Sequence, residues 1–148
     1  VRVAFRRATH NDLPAIVGLL TDDALGSARE ASSAGAYAAA FDRIDADPNQ
    51  LLAVADCDGK VVGTLQLTFT PGLSRGGAIR GQIEAVRIAS HLRGQGIGQR
   101  MIEWAVATCR TRGCAMVQLT TDKTRVDAHR FYDRLGFEQS HLGYKMIL

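Results

Sequence analysis

A strand, a basic glycine-rich turn and a helix follow one another between Gln82 and Arg112, and this succession constrains the chain more than any other part of it. The strand reads Gln82-Ile83-Glu84-Ala85-Val86-Arg87-Ile88. The turn is Arg93-Gly94-Gln95-Gly96-Ile97-Gly98, and a long amphipathic run follows. Glycines at alternate positions let the backbone turn tightly and approach a ligand with no side chain in the way. Behind such a turn, the first N–H groups of the helix point outward with the positive end of the helix dipole behind them, which makes a place to hold phosphate. Arg93 and Arg100 flank the turn with cations suited to phosphate oxygens.

The turn fits neither G-x-x-x-x-G-K-[ST] nor G-x-G-x-x-G, so an ATP-type loop and a dinucleotide fingerprint are both poor readings. Its pattern is R-x-x-G-x-G, placed directly after a strand that carries an acidic residue. The bulk numbers leave room for a small-ligand site and narrow its kind. At 148 residues the chain is of single-domain size and long enough to bury a real core. A net charge of +3 with 6% aromatic residues is too little for nucleic acid, which wants a concentrated basic face with stacking rings. Cys57, Cys109 and Cys114 form no C-x-x-C or Cys/His ligand spacing, and the four histidines have no metal spacing either. No metal site is expected, and the thiols read as reduced and packed, as in a cytoplasmic protein. No apolar run approaches the roughly 18–20 residues of a membrane span, and the first residues lack a signal-type apolar region.

In chain order, Val1 to Arg6 alternates as a strand does, and Leu13, Ile16, Val17 and Leu20 mark a first helix reaching about Leu25. A soft segment, Gly26 to Gly35, carries Arg29 and Glu30, which either face a substrate or form an exposed ion pair. A second helix is predicted over Ala36–Ala46, stopped by Asp47-Pro48-Asn49. Strands over Leu51–Cys57 and Lys60–Thr70 are joined by Asp58-Gly59, a strong hairpin signal. The strand Ala78–Ile88 comes next, then the helix with Ile97, Met101, Trp104, Ala105 and Thr108 at helical spacing, a stripe broad enough to be buried on a sheet, with Trp104 as a core residue. A strand over Ala115–Thr121, a short helix over Arg125–Gly136 and a last strand over about Phe137–Leu148 complete a mixed α/β domain covering residues 1–148.

Two motifs in this order, the glycine turn and Ala128-x-x-Phe131-Tyr132-x-x-x-Gly136-Phe137, resemble the GNAT superfamily of N-acetyltransferases. The resemblance covers about Val61 to Phe137 well. Arg125 departs from it, where many members carry Asn. It implies a mostly antiparallel sheet of six to seven strands flanked by four helices, with strands 4 and 5 splayed to admit acetyl-CoA as cosubstrate. It places Val86, Arg87 and Ile88 along the pantetheine arm by backbone pairing. The stretch Arg93, Gly94, Gln95, Gly96, Ile97, Gly98, Gln99 and Arg100 would surround the pyrophosphate. More narrowly, Asp127–Tyr132 and Glu138–His141 look like the C-terminal part of aminoalkylphosphonate N-acetyltransferases, in which case Arg75 and Arg80 would face an anionic substrate group.

The implied reaction is acetyl transfer from a thioester to the primary amine of a small molecule, by direct attack in a ternary complex. An alkyl amine of pKa about 10.4 is neutral at pH 7 in roughly one part per thousand, so a base is useful. Glu84 is the candidate, acting through a water; its plain alternative is an ion pair with Arg87 or Arg80. A backbone N–H near Val86 would stabilise the developing oxyanion. Tyr132 is the general acid for the leaving thiolate on the resemblance, and an amphipathic core-edge ring otherwise. The rival functions are acetylation of a protein N-terminus or lysine, and a CoA-binding sensor without turnover. A homodimer through the last strand is compatible with the residues.

Overall fold

Asp58 and Gly59 both take left-handed backbone angles, φ 51° and 87°, and so close the tight hairpin that their sequence predicts. The computed structural model describes residues 2–22 and 34–148; Arg29 and Glu30 lie outside the described residues. The hairpin joins β2 (Gln50–Cys57) to β3 (Lys60–Pro71), with β1 (Ala4–Arg7) antiparallel to β2 and β4 (Ile79–Ile88) antiparallel to β3. A parallel fifth strand, β5 (Cys114–Leu119), pairs with β4, giving the order β1-β2-β3-β4-β5. Parallel pairing requires a crossover, supplied by α3 (Ile97–Thr111). The other helices of more than one turn are α1 (Leu13–Leu20), α2 (Ala34–Ala46) and α4 (Val126–Arg134). None of the described helices is long and apolar enough to cross a membrane.

Period-two alternation splits the strands between two cores. Leu51, Ala53 and Ala55 of β2, with Leu65, Leu67 and Phe69 of β3, meet the α3 stripe of Ile97, Met101, Ile102, Ala105 and Cys109. All five α3 residues are buried, and burying side chains of the Ile or Met kind stabilises by roughly 1.5–3 kcal/mol each. On the opposite face Val54 joins Ala8, Ile16 of α1 and Phe41 of α2. Trp104 sits at the core edge with its ring 6.1 Å from Phe5, the packing role its place on the stripe predicts.

Two local devices hold this frame. Gly81 of β4 faces α3 so closely that an added Cβ would run into Cys109 Sγ. Gly81→Ala is therefore expected to lower stability by about 1–3 kcal/mol, read from the urea midpoint, through overpacking rather than lost chain freedom. At the start of the chain Arg6 makes a two-pronged bond to Asp12, at 2.8 and 3.1 Å, and a third bond to Asp56 at 3.1 Å. The Arg6 guanidinium, aided by the Thr9 N–H at 2.7 Å and opposed by burial, lowers the Asp12 carboxyl to about 2. A carboxylate held below its unfolded value contributes stability that is complete above that value and lost as pH falls through the folded one. Stability is thus expected to decline between about pH 4 and pH 2, and the part due to Asp12 vanishes in Asp12→Asn, which urea titrations across that range measure.

The last strand expected over Phe137–Leu148 does not form. Residues 138–148 carry no regular secondary structure and no sheet partner, so the sheet has five strands instead of six or seven. A strand exists only where a neighbour takes up its N–H and C=O groups, and among the described residues none lies alongside this segment. The antiparallel character of β1 to β4 follows the sequence reading, while the described residues hold five α-helices instead of four, the fifth a single distorted turn at Ser74–Gly77.

Candidate active site

Pairing between β4 and β5 runs from Ile79↔Cys114 to Ile83↔Leu119 and stops there. From Glu84 onward β4 continues for five residues, paired to β3 but with no strand on its other side. This is the expected splay. At the point of separation β4 carries a bulge. Gln66 pairs with Glu84 and Thr64 with Arg87, so Leu65 alone opposes Ala85 and Val86. Ala85 takes φ 55°, a left-handed conformation uncommon in a residue with a Cβ. Such a bulge bends the strand and turns backbone groups out of the ladder.

Glu84 lies at the bulge, exposed, on the sheet face shared with Arg80 and Gln82. Its carboxylate receives a long 3.4 Å contact from the Thr68 hydroxyl and forms no ion pair with Arg80 or Arg87 among the described residues. Around it runs a polar row that sequence reading missed. Gln50, Thr68, Gln82 and Gln118 stand opposite one another on β2, β3, β4 and β5. Gln50 Oε1 accepts from Gln66 Nε2 at 2.8 Å and from Thr68 Oγ1 at 3.0 Å, and Gln118 Nε2 donates to Gln82 Oε1 at 2.8 Å. Only the register brings these residues together. The alternation of polar positions in each strand was the available signal.

The glycine turn adopts the form its composition predicts. Gly94 and Gly96 take φ 82° and 80°, and Gly96 precedes the first residue of α3. The helix N-terminus has no side-chain cap, and its first described backbone bond is Arg100 N–H to Gly96 C=O, at 3.1 Å. The N–H groups of Ile97, Gly98 and Gln99 therefore face outward, which fits a diphosphate. Arg93 and Gln95 are exposed beside them. Gly98 serves a different purpose, since a Cβ there would touch Phe131 of α4 at 3.6 Å and Ile88 at 3.7 Å. Gln99 bonds Glu103 one turn on, at 2.9 Å. Arg100 reaches back toward β1, with its guanidinium over the Phe5 ring at 5.7 Å and 3.4 Å from Val3 C=O. The turn's own backbone and Arg93 thus form the cradle.

Val86, Arg87 and Ile88 are half-buried along the unpaired side of β4, and Arg87 Nη1 donates to Val86 C=O at 2.9 Å. Tyr132 of α4 is held edge-on between Phe131 and Phe137, at 5.1 and 5.8 Å. Burial pushes its hydroxyl pKa up, against the pull of Arg125 and Arg87, so the phenol keeps its proton well above neutral pH. Cys109 is buried and its thiol is raised to about 11, first by burial and then by Cys114, which removes it as a nucleophile.

Residues 17–137 match the model of the acetyltransferase (GNAT) family. The chain belongs to that family. Among curated proteins, the aminoalkylphosphonate N-acetyltransferase of Salmonella typhimurium is 36% identical over 102 residues, which are 69% of this chain and 66% of that relative, just under two thirds of its length. Among solved structures, one described as a transcriptional regulator from Bacillus halodurans C-125 superposes with TM-score 0.96 at 47% identity, over 99% of this chain and all of that one. A putative acetyltransferase from Agrobacterium tumefaciens str. C58 superposes with TM-score 0.87 at 27% identity, over 98% of this chain and 99% of its own. Acetyl-CoA is the cosubstrate of the acetyltransferases of this family. The uncapped turn and the half-open strand are the two features of this fold that fit such a molecule, a diphosphate at one end and an amide-bearing arm at the other.

Proposed function

We propose that the chain moves the acetyl group of acetyl-CoA to the primary amine of a small molecule, by direct attack in a ternary complex, in the cytoplasm. The observation that carries this reading is the bulge at Ala85. It sets a carboxylate, Glu84, at the spot where β4 loses its neighbour and turns toward the unpaired Val86–Ile88 edge. Glu84 takes a proton from the amine through a water. The backbone N–H near Val86 meets the oxygen that becomes negative, and Tyr132 returns a proton to the departing sulfur. A thiol of pKa about 8.5 is already a fair leaving group, so no covalent enzyme species is required. The polar row from Gln50 to Gln118 offers donors and acceptors for a small polar amine. The name of the Salmonella relative directs attention to amines that carry an anionic group. Exposed Arg80, on the face of Glu84, is a cation for such a group. The three free thiols suit a reducing compartment.

The decisive experiment is calorimetry with acetyl-CoA, followed by thiol release against amines, peptides and aminoalkylphosphonates. Binding with release on a small amine is the expected result; release on peptides alone would move the acceptor to protein. The description of the Bacillus halodurans structure favours one second reading, a CoA-binding regulatory module without turnover. Binding with no release from any amine would support it.

A further inference from the structure

β5 ends at Leu119, and its pairing with β4 ends there too, at Ile83↔Leu119. The in-and-out alternation of β5 runs on past that point. Val117 and Leu119 are half-buried against the α3 core, Gln118 and Thr120 are exposed, and Thr121 is half-buried again. Thr121 therefore continues the inner side of β5 into the place where the two strands have parted. β4 borders the same gap with Val86, Arg87 and Ile88, which pair with β3 or with no strand and never with β5.

The Thr121 hydroxyl oxygen is buried and has no hydrogen-bond partner. Taking a hydroxyl out of water without a partner is unfavourable, and native folds pair nearly all such groups. The loop around it is well supplied with bonds. The Asp122 carboxylate accepts from the Thr124 N–H and hydroxyl at 2.9 and 2.6 Å, and the Asp122 C=O accepts from the Arg125 N–H at 3.0 Å. The His129 ring nitrogen Nε2 stands 3.0 Å from the same carbonyl, which ties the loop to α4. The segment is thus fixed by its neighbours, and Thr121 is held at the gap with its donor and acceptor unused.

A hydroxyl is uncharged and can both give and accept a hydrogen bond, so it matches either the N–H or the C=O of an amide. An apolar chain in the gap would leave it unsatisfied, and the glycine cradle with Arg93 is the better place for phosphate charge. We infer that Thr121 is a binding residue for the amide-bearing arm of acetyl-CoA, meeting one of its amides from the side of the gap opposite Val86–Ile88. The assignment rests on the acetyl-CoA reading above, and adds a side-chain contact that neither the glycine turn nor the β4 edge provides. The free protein carries the cost of the bare hydroxyl and binding relieves it, so this group favours the complex and not the fold.

Thr121→Val tests this, because valine keeps the shape of the side chain and removes the hydroxyl. In calorimetry the variant is expected to bind acetyl-CoA roughly 2- to 10-fold more weakly, the range for one lost neutral hydrogen bond. Its urea midpoint should equal that of the wild type or exceed it, since no bond within the protein is lost. Thr121→Ser keeps the hydroxyl and should bind as the wild type does. Affinity for the adenosine-phosphate end of CoA, which lacks the arm, should be the same in all three proteins. Wild-type affinity for acetyl-CoA in the Val variant overturns the assignment and leaves the acetyl-CoA reading standing. A Ser variant as weak as the Val variant, or an equal loss for the armless fragment, overturns it by tracing the effect to packing. A wild type that does not bind acetyl-CoA overturns the underlying reading, and the assignment with it.

Discussion

Tyr132→Phe is expected to lower kcat by roughly 10²–10⁴-fold, the usual contribution of a positioned general acid, with the fold intact. The substitution deletes one hydroxyl and leaves the edge-on contacts with Phe131 and Phe137, so the core at the end of α4 keeps its shape. A proton given to sulfur matters in the transition state and not in the bound ground state. kcat and kcat/KM should therefore fall together while KM for acetyl-CoA holds. The pH profile adds a second check. Burial raises the Tyr132 pKa, so the donor stays protonated as pH rises, and wild-type kcat should remain flat well into the alkaline range. Turnover near wild type in the variant would return Tyr132 to a purely packing role.

Glu84→Gln should act on the amine. The carboxylate takes the amine's proton in the proposed step, and the amide variant, unable to do so, is left with the amine already neutral in solution. What remains is the climb due to the amine itself, toward its own pKa of about 10.4. A drop of about 10²–10⁴-fold near pH 7 is expected, with acetyl-CoA affinity nearly unchanged because Glu84 stands off the Val86–Ile88 edge. Steady-state rates from pH 6 to 10 in both proteins settle the matter. Parallel profiles would remove Glu84 as the base and leave it as a polar contact of Thr68.

Much of this arrangement was legible in the residues because its signals are local. Asp58-Gly59 announced its hairpin through the left-handed angles those two residues accept, and Gly94 and Gly96 announced their tight turn in the same way. The α3 stripe needed only the helical period. What escaped depends on distant partners. Ala85 carries no turn signal, and its left-handed angle follows from a mismatch in register between β3 and β4. The polar row spans four strands and exists only once they are aligned. The contacts of Arg100 with Phe5 and Val3 likewise join residues far apart in the chain. The alternation of residues 141–148 reads as a strand, but periodicity does not supply the neighbour a strand needs, and no strand forms there.

The half of β4 left without a neighbour has one more consequence. If the cosubstrate arm lies along Val86–Ile88 and its diphosphate in the glycine cradle, the features that hold it are shared by acetyl-CoA and by the free CoA left after transfer. Neither contact senses the acetyl group. Substrate and product are then gripped almost equally, which is uniform binding and gives no preference for the loaded form. The rate in a cell would follow the proportion of the CoA pool that is acetylated more closely than the absolute amount of acetyl-CoA, and an enzyme built this way slows whenever that proportion falls.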